Sequence, residues 1–294
     1  MNSQKRIKIG IIGAGQMGSG IAQICAQSGL MVILSDISKE ILDNSLKVIR
    51  KRLERLVERE KLSKNKIKMI LANITITQEL ESLSDFDFVL EAATEDEKIK
   101  VDVLQNLQPY LGKNTILLTN TSSISITRLA ANTDRPEKFM GLHFMNPVQV
   151  MKLVELIRGI ATDNTTFEAV FGLATKLEKT AIISEDFPAF ILNRVLIPML
   201  NEAIYVVHEG VGTIKDVDTA MKLGAHHPMG PLELADFIGL DTCLSIMQVL
   251  HKELGDSKFR PCPLLSKFVE AGWLGRKTKI GFYDYTGQKP LPTR

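Results

Sequence analysis

Four polar residues lie where their type and spacing could support chemistry: Ser122, His143, Glu155 and Asn193. Histidine changes its charge near neutral pH, so His143 suits proton transfer to or from a hydroxyl group. Glu155 lies inside an apolar run at residues 153–157, where a carboxylate is costly unless it has a partner. We therefore predict that Glu155 orients the ring of His143, while Ser122 and Asn193 hold a substrate oxygen by hydrogen bonds.

Each of these residues also has an ordinary structural explanation. A histidine at a strand end is often structural, and Ser122 in a Thr-Ser-Ser turn and Asn193 at a helix start have the positions of caps. The other four histidines lie in a loop or on predicted helices, and no cluster has zinc spacing: His208, His226, His227 and His251. We predict no metal site.

A glycine-rich turn near the start of the chain predicts a dinucleotide site. Gly13, Gly15 and Gly18 have G-x-G-x-x-G spacing after a β-rich run at residues 9–12, and the next strand ends at Asp36. The glycines permit a tight turn, close approach of the backbone to a pyrophosphate, and packing of the helix on its strand. A carboxylate at Asp36 can accept hydrogen bonds from both ribose hydroxyls and repels a 2′-phosphate, which favours NAD over NADP. The alternative is a tight turn in another kind of α/β sheet.

The elements that position these residues form two predicted domains. Strand and helix signals alternate over residues 1–187, which predicts an α/β domain with a doubly wound, mostly parallel sheet of the Rossmann type. Ligands bind beyond the carboxyl ends of the strands in such sheets, and Ser122 and His143 follow predicted strands there. Helix signals dominate residues 188–294, which we predict to be an all-α C-terminal domain.

Two local signals concern individual helices. Thr165 and Glu168 have the spacing of a capping box, which predicts a helix start at residue 166. Pro198 falls inside a predicted helix at residues 190–209, which we expect it to kink.

A strongly basic segment at about residues 38–70 follows the second strand. Residues 38–61 carry leucine and isoleucine at spacings of 3 and 4, which predicts one long helix. The segment contains eleven basic and five acidic residues. We predict an arm that projects from the domain, with Arg52, Arg55 and Arg59 on a face that could meet an anionic ligand. A solvated face with i, i+4 ion pairs explains any single residue equally well.

Composition limits the class of protein. The chain has 294 residues, of which 45% are hydrophobic, and this fits a globular protein of two domains. The net charge of only +2 argues against a nucleic-acid partner. Three cysteines in no C-x-x-C pair fit a reducing cytoplasm, and no apolar run reaches the about 20 residues that span a bilayer. The polar start, MNSQKR, leaves no room for a signal peptide. We therefore expect a cytoplasmic protein without a membrane partner.

Several long motifs run through the chain: GAGQMGSGIAQ, NTSSISIT, GLHFMNPVQVMKLVELIRG, DFPAFILNRVLIPMLNEA, DVDTAMKLG, HPMGPLELADFIGLD and GWLGRKTKIGFYDY. In these motifs, and in their order, the chain resembles the 3-hydroxyacyl-CoA dehydrogenase family, in particular bacterial members that act on 3-hydroxybutyryl-CoA. The resemblance implies NAD as cofactor, an acyl-CoA substrate, and a helical domain that forms the substrate cleft and a homodimer.

The resemblance also implies roles for matching positions. His143 matches the catalytic base, Glu155 the residue that orients it, and Ser122 and Asn193 the residues that hold the substrate. The positions that match contacts to NAD are Gly13, Gly15, Gln16, Met17, Gly18, Asp36, Glu95, Lys100, Ser122, Asn146 and Lys277.

The basic segment matches the arm that contacts CoA in the family, and Arg52 and Arg59 are our predicted contacts. Three positions depart from the family pattern. Met145 stands where a second phenylalanine is usual, and His226 and Lys279 stand where glycine is common. None of these departures removes a predicted catalytic residue.

The activity implied is interconversion of a 3-hydroxyacyl-CoA, with S configuration at C3, and the 3-oxoacyl-CoA, with the C4 pair as the expected substrates. One alternative is a dehydrogenase for a small free β-hydroxy acid, which would not need the basic segment. Another is a non-catalytic NAD-binding relative, against which the intact set of Ser122, His143, Glu155 and Asn193 argues.

Overall fold

An eight-stranded sheet organises the first of two compact units, which divide between Phe187 and Pro188. The computed structural model describes residues 6–293. The expectation that the chain has no signal peptide was drawn from residues 1–6, most of which lie outside the described residues. The strands are β1 (Lys8–Ile12), β2 (Met31–Ser35), β3 (Ile74–Thr77), β4 (Phe88–Glu91), β5 (Ile116–Thr119), β6 (Phe139–Phe144), β7 (Leu153–Arg158) and β8 (Thr180–Glu185). The helices of this unit are α1 (Gln16–Gln27), α2 (Lys39–Glu58), α3 (Lys64–Ala72), α4 (Glu97–Leu107), α5 (Ile126–Ala130) and α6 (Asn164–Lys176).

The strand order is β3-β2-β1-β4-β5-β6-β7-β8, which confirms the predicted doubly wound sheet. Neighbouring strands from β3 to β6 are parallel, β6 and β7 are antiparallel, and β7 and β8 are parallel. The direction of winding reverses between β1 and β4. The carboxyl ends of these two strands therefore border the kind of crevice in which α/β sheets bind ligands.

The interior strands are apolar because helices cover both faces of the sheet. All four residues of β4 and all six of β6 are buried, and alternate residues of each strand share a core with the buried side of α1. Polar side chains within these strands therefore have to find partners in the protein, which gives particular weight to Glu91 and His143.

The basic segment forms two helices. α2 (Lys39–Glu58) confirms the long helix predicted at residues 38–61, although it ends three residues earlier, and α3 (Lys64–Ala72) was not predicted. α2 ends at Glu58, the chain turns through Glu60 with a φ of 58°, and Ser63 occupies the N-cap of α3. This turn contains neither glycine nor proline, so the sequence carries none of the usual signals for it.

The start of α6 also differs from its prediction. Asp163 caps this helix, because its carboxylate accepts a hydrogen bond from the backbone N of Thr166 at 2.6 Å. The helix therefore begins at Asn164, and the capping box predicted at Thr165 and Glu168 is wrong. Aspartate is a stronger cap than threonine, and its position two residues earlier decides the helix start.

The second unit is helical, with one short ribbon. Its elements are α7 (Leu192–His208), α8 (Ile214–Gly224), α9 (Pro231–Ile238), α10 (Leu240–Leu254), α11 (Pro263–Glu270), β9 (Tyr283–Asp284) and β10 (Leu291–Pro292). α7 continues through Pro198, and the five helices share a separate hydrophobic core.

Among residues 6–293, no single helix has the length and hydropathy to cross a bilayer. α9 and α10 together reach these limits, although the pair is bent by 95°.

Candidate active site

The turn after β1 has a shape that only glycine permits at two positions. Gly13 has a φ of 98°, and a Cβ there would lie 2.6 Å from the carbonyl oxygen of Ala92. A Cβ on Gly18 would lie 1.8 Å from the carbonyl oxygen of Gly13, so a side chain would push α1 away from β1.

The N-terminus of α1 has room for an anion. Apart from Gly15 and its two neighbours in the chain, no heavy atom of the described residues lies within 4 Å of a Cβ built on this N-cap residue. The first turn of the helix carries no acidic side chain. The first N–H groups of a helix lack intrahelical acceptors and bind phosphate readily. This cradle fits the pyrophosphate of a dinucleotide.

Asp36 ties the glycine turn to the end of β2. Its Oδ2 accepts a hydrogen bond from the backbone N of Ala14 at 2.8 Å, and its Oδ1 accepts one from the backbone N of Ser38 at 3.0 Å. The carboxylate is half-buried beside the turn. This is the position in which an acid of a dinucleotide-binding unit meets the ribose.

Two further residues predicted to bind the cofactor contact each other. The Nε2 of Gln16 donates to the Oδ1 of Asn146 at 3.0 Å, which joins the first turn of α1 to the loop after β6. Met17, the next residue of α1, is half-buried and packs against the core of the first unit.

His143 and Glu155 are paired at the carboxyl end of β6. They are register partners on β6 and β7, and the Nδ1 of His143 lies 2.7 Å from the Oε2 of Glu155. The residues are 6% and 0% exposed, respectively. Because a carboxylate can only accept, Nδ1 carries the hydrogen of this bond, and the ring lone pair is on Nε2.

Asn120 fixes the backbone next to this pair. Its Oδ1 accepts a hydrogen bond from the backbone N of Phe144 at 2.9 Å. The loop after β5 is thereby joined to the end of β6 beside His143. Asn120 begins the NTSSISIT motif, and nothing in the sequence predicts this role for it.

Glu95 holds the loop that carries Ser122. Its Oε1 accepts hydrogen bonds from the backbone N of Ser122 at 2.7 Å, from the Oγ of Ser122 at 3.1 Å and from the Oγ1 of Thr121 at 2.6 Å. Partial burial raises the pKa of Glu95, but the ammonium of Lys100 and these hydrogen bonds outweigh it, so the pKa lies below its usual range. Glu95 is therefore an ionised acceptor near neutral pH.

A second carboxylate holds the other end of this loop. Asp186 accepts hydrogen bonds from the Oγ of Ser125 at 2.9 Å, and from the backbone N of Ile126 at 2.9 Å and of Thr127 at 2.7 Å. It thus caps the first turn of α5. Its position just after a strand was the sequence signal that could have revealed it.

Lys100 is buried, although sequence analysis placed it among residues that meet NAD. Its Nζ lies 2.8 Å from the Oε1 of Glu91 and 3.4 Å from the Oε2 of Glu95, and its side chain is 1% exposed. Glu91 was not among the residues predicted from the sequence. The argument applied to Glu155, that a glutamate in an apolar strand needs a partner, would have found it.

Two predicted residues belong to the second unit. Asn193 lies in the first turn of α7. Lys277 lies after α11 with its Nζ 2.5 Å from the Oδ1 of Asp241. Among residues 6–293, no group of three or more His, Cys, Asp or Glu side chains is arranged to hold a metal ion.

The two arginines predicted to meet CoA have different surroundings. Arg52 is half-buried with its Nη1 3.4 Å from the Oγ of Ser19 on α1, and burial lowers the pKa of its guanidinium. Arg59 is exposed at the C-cap of α2. Arg52 therefore joins the basic segment to the helix of the glycine turn, whereas Arg59 faces solvent.

The three departures from the family pattern have simple structural settings. Met145 is buried after β6. His226 and Lys279 have φ values of 56° and 62°, in the left-handed region that favours glycine. The glycine expected at these two positions is thus explained by the backbone.

The glycine turn, the winding reversal at β1 and β4, and a histidine–glutamate pair at the carboxyl edge of the sheet define a Rossmann-type, NAD-binding protein of the dehydrogenase class. Comparison with protein families gives two matches: the NAD binding domain of 3-hydroxyacyl-CoA dehydrogenase over residues 8–187, and the C-terminal domain of 3-hydroxyacyl-CoA dehydrogenase over residues 190–285. The chain belongs to the 3-hydroxyacyl-CoA dehydrogenase family.

Individual relatives are similar over nearly their whole length. The 3-hydroxybutyryl-CoA dehydrogenase of Bradyrhizobium diazoefficiens is 58% identical and covers 98% of both chains. The probable 3-hydroxybutyryl-CoA dehydrogenase of Bacillus subtilis is 53% identical over 95% of this chain and 97% of its own. The crystal structure of (S)-3-hydroxybutyryl-CoA dehydrogenase PaaH1 from Ralstonia eutropha has a TM-score of 0.94, 47% identity, and coverage of 96% of this chain and 100% of its own.

Proposed function

We propose that this protein interconverts a 3-hydroxyacyl-CoA, with S configuration at C3, and the 3-oxoacyl-CoA with NAD, and that its substrates are 3-hydroxybutyryl-CoA and acetoacetyl-CoA. The observation that carries the proposal is the 2.7 Å contact between His143 and Glu155, in a unit whose glycine turn fits a dinucleotide. The names of the relatives agree with this substrate pair.

In the oxidative direction, His143 accepts the proton of the substrate hydroxyl at Nε2. Glu155 keeps the hydrogen of the neutral ring on Nδ1 and stabilises the imidazolium that forms. NAD, when bound, accepts the hydride from C3 of the substrate. In the reductive direction, His143 returns the proton to the oxygen of the ketone.

Ser122 and Asn193 hold the substrate oxygen in this proposal. Hydroxyl and amide donors aimed at this oxygen stabilise the charge that develops on it during the reaction. The support for Ser122 is its place in a loop that Glu95 fixes through the backbone and the side chain. The support for Asn193 is its match to the substrate-holding asparagine of the family.

NAD is held by the glycine turn and by Asp36 in this proposal. The open N-terminus of α1 receives the pyrophosphate, and Asp36 accepts hydrogen bonds from the ribose. Gln16, Met17, Glu95, Lys100, Asn146 and Lys277 complete the predicted contacts, directly or through a neighbour.

The basic segment provides the contact to CoA. CoA carries several phosphate charges, and guanidinium groups bind phosphate through bidentate hydrogen bonds. Exposed Arg59 and half-buried Arg52 lie on a segment with eleven basic residues. We further propose a cytoplasmic homodimer formed through the C-terminal domain, as in the family, with no membrane or nucleic-acid partner.

Absorbance of NADH at 340 nm tests the proposed activity. The purified protein should oxidise NADH with acetoacetyl-CoA, and should reduce NAD with (S)-3-hydroxybutyryl-CoA but not with the R enantiomer. Equal kcat/KM for free 3-hydroxybutyrate and its CoA thioester would instead indicate a β-hydroxy acid dehydrogenase. NADH binding without turnover of any acyl-CoA would indicate a non-catalytic relative.

A further inference from the structure

Glu91 is a buried acid that the proposed mechanism does not use. It ends β4 and is 0% exposed. Its Oε1 accepts a hydrogen bond from the backbone N of Ala93 at 2.6 Å, and its Oε2 accepts one from the Oγ1 of Thr119 at 2.6 Å. The Nζ of Lys100 donates to both oxygens, at 2.8 and 3.1 Å. Separating the two groups of such a pair leaves an uncompensated buried charge, which costs free energy. Glu91 therefore holds the ammonium of Lys100 in its position.

Lys100 reaches from Glu91 to Glu95. The same Nζ lies 3.4 Å from the Oε2 of Glu95 and donates to the carbonyl oxygen of Ala93 at 3.3 Å. The side chain of Lys100 is only 1% exposed, so water does not reach its ammonium and Glu91 is the partner that holds it. It is therefore a fixed positive charge beside a carboxylate that is itself 40% exposed.

Glu95 uses its two oxygens on different partners. Oε2 faces Lys100, whereas Oε1 accepts from the backbone N and the Oγ of Ser122 and from the hydroxyl of Thr121. The Oγ1 of Thr121 in turn accepts from the backbone N of Ile124 at 3.0 Å. A rotation of Glu95 would therefore release several bonds of the Ser122 loop at once.

We propose that Glu91 is a positioning residue for Ser122. It fixes Lys100, Lys100 fixes Glu95, and Glu95 sets the backbone and the hydroxyl of Ser122. The functional meaning of this chain of contacts rests on the proposed function, which gives Ser122 the task of holding the substrate oxygen. The contacts themselves predict a local order that can be measured without any substrate.

The test compares Glu91→Gln and Lys100→Met with a matched control, Arg135→Met. Arg135 is also a buried cation of the first unit, 7% exposed, but it donates to the carbonyl oxygens of Gly112 and Thr115 before β5, whereas Ser122 follows β5. The first measurement is hydrogen exchange of the amides of residues 121–124. The second is kcat with acetoacetyl-CoA together with the Kd of NADH.

We expect Glu91→Gln and Lys100→Met to accelerate exchange in residues 121–124 by about 10-fold or more, and Arg135→Met to leave it unchanged. We also expect kcat to fall about 10- to 100-fold in both variants, because a small displacement of a substrate-holding group has effects of this size. The Kd of NADH should stay within about 3-fold for Glu91→Gln, and the double variant should be no slower than the slower single variant.

Unchanged exchange in folded Glu91→Gln would overturn the inference. So would a Lys100→Met variant that binds NADH at least about 10-fold more weakly while Glu91→Gln keeps its kcat, since Lys100 would then contact NAD directly. If the unmodified protein does not turn over acyl-CoA, the proposed function fails, and the exchange measurement alone decides on Glu91.

A further variant covers the case in which Glu91→Gln does not fold. Thr119→Val removes the hydroxyl that donates to Glu91 and that also accepts from the backbone N of Thr121 at 3.3 Å. Because residue 121 loses a bond of its own, the amides of residues 122–124 are compared. Their exchange should accelerate in the same direction by a smaller factor, and exchange equal to that of the unmodified protein would overturn the inference.

Discussion

The Nδ1 of His143 lies 2.7 Å from the Oε2 of Glu155, across the antiparallel pair of β6 and β7. Side chains of register partners in an antiparallel pair point to the same face of the sheet. A slip of one residue would turn Glu155 to the other face, so the register of the strands sets the orientation of the imidazole.

Glu155→Gln should lower kcat by about 100- to 10,000-fold, because the amide no longer stabilises imidazolium or fixes the neutral tautomer. Steady-state reduction of acetoacetyl-CoA measures this effect. Glu185→Gln, at an exposed position on β8, is the control and should keep kcat. A fall of less than about 3-fold in Glu155→Gln would contradict the role of the pair.

Asp36→Ala should weaken NADH binding by about 10- to 100-fold, the usual effect of losing hydrogen bonds to a charged group. The preference for NADH over NADPH should shrink, because repulsion of the 2′-phosphate is removed. Titration calorimetry with both nucleotides measures the change. Asp102→Ala, on the exposed side of α4, should have no effect. An unchanged ratio of the two affinities would show that another residue selects the nucleotide.

Glu95 makes a testable contribution to stability as a function of pH. Its pKa is lowered in the folded protein from an ordinary value of 4.5, so its stabilising effect is complete above that value and is lost as the pH falls below it. Urea unfolding between pH 7 and pH 3 should therefore show Glu95→Gln less stable than the unmodified protein at pH 7. The difference should narrow on acidification, and a difference independent of pH would refute this explanation.

His226→Gly and Lys279→Gly should each stabilise the fold by about 0.5–1 kcal/mol. A left-handed backbone costs a non-glycine residue roughly 1–2 kcal/mol, and the greater freedom of glycine in the unfolded chain offsets about half of this. Thermal unfolding should detect a rise of a few degrees. His227→Gly, which is not among the residues with positive φ, should lower the melting temperature.

The sequence predicted most of the first unit because its signals are local. The glycine turn, the short apolar strands and the helix stops each depend on a few neighbouring residues. The end of α2 was predicted three residues too late, at residue 61, because Glu60 adopts a left-handed conformation without glycine. The cap at Asp163 was missed because a weaker motif two residues later fitted a familiar pattern.

Local signals in the sequence pointed to individual residues of the site but not to the contacts between them. Burial of a glutamate in an apolar strand pointed to a partner for Glu155, but the twelve-residue separation from His143 does not fix the register. The pairing of Glu91 with Lys100 joins a strand to a helix, so no periodic pattern in the sequence marks it. Such contacts arise from tertiary packing and require coordinates.

The most direct test of the proposed mechanism is the turnover of His143→Asn with acetoacetyl-CoA and NADH, measured beside the Kd of NADH. The amide keeps a polar side chain opposite Glu155 but cannot take up or return the proton. We predict a fall in kcat of about 100- to 10,000-fold with NADH affinity within about 3-fold of the unmodified protein. A loss of less than about 10-fold in folded, NADH-binding His143→Asn would show that another group transfers the proton.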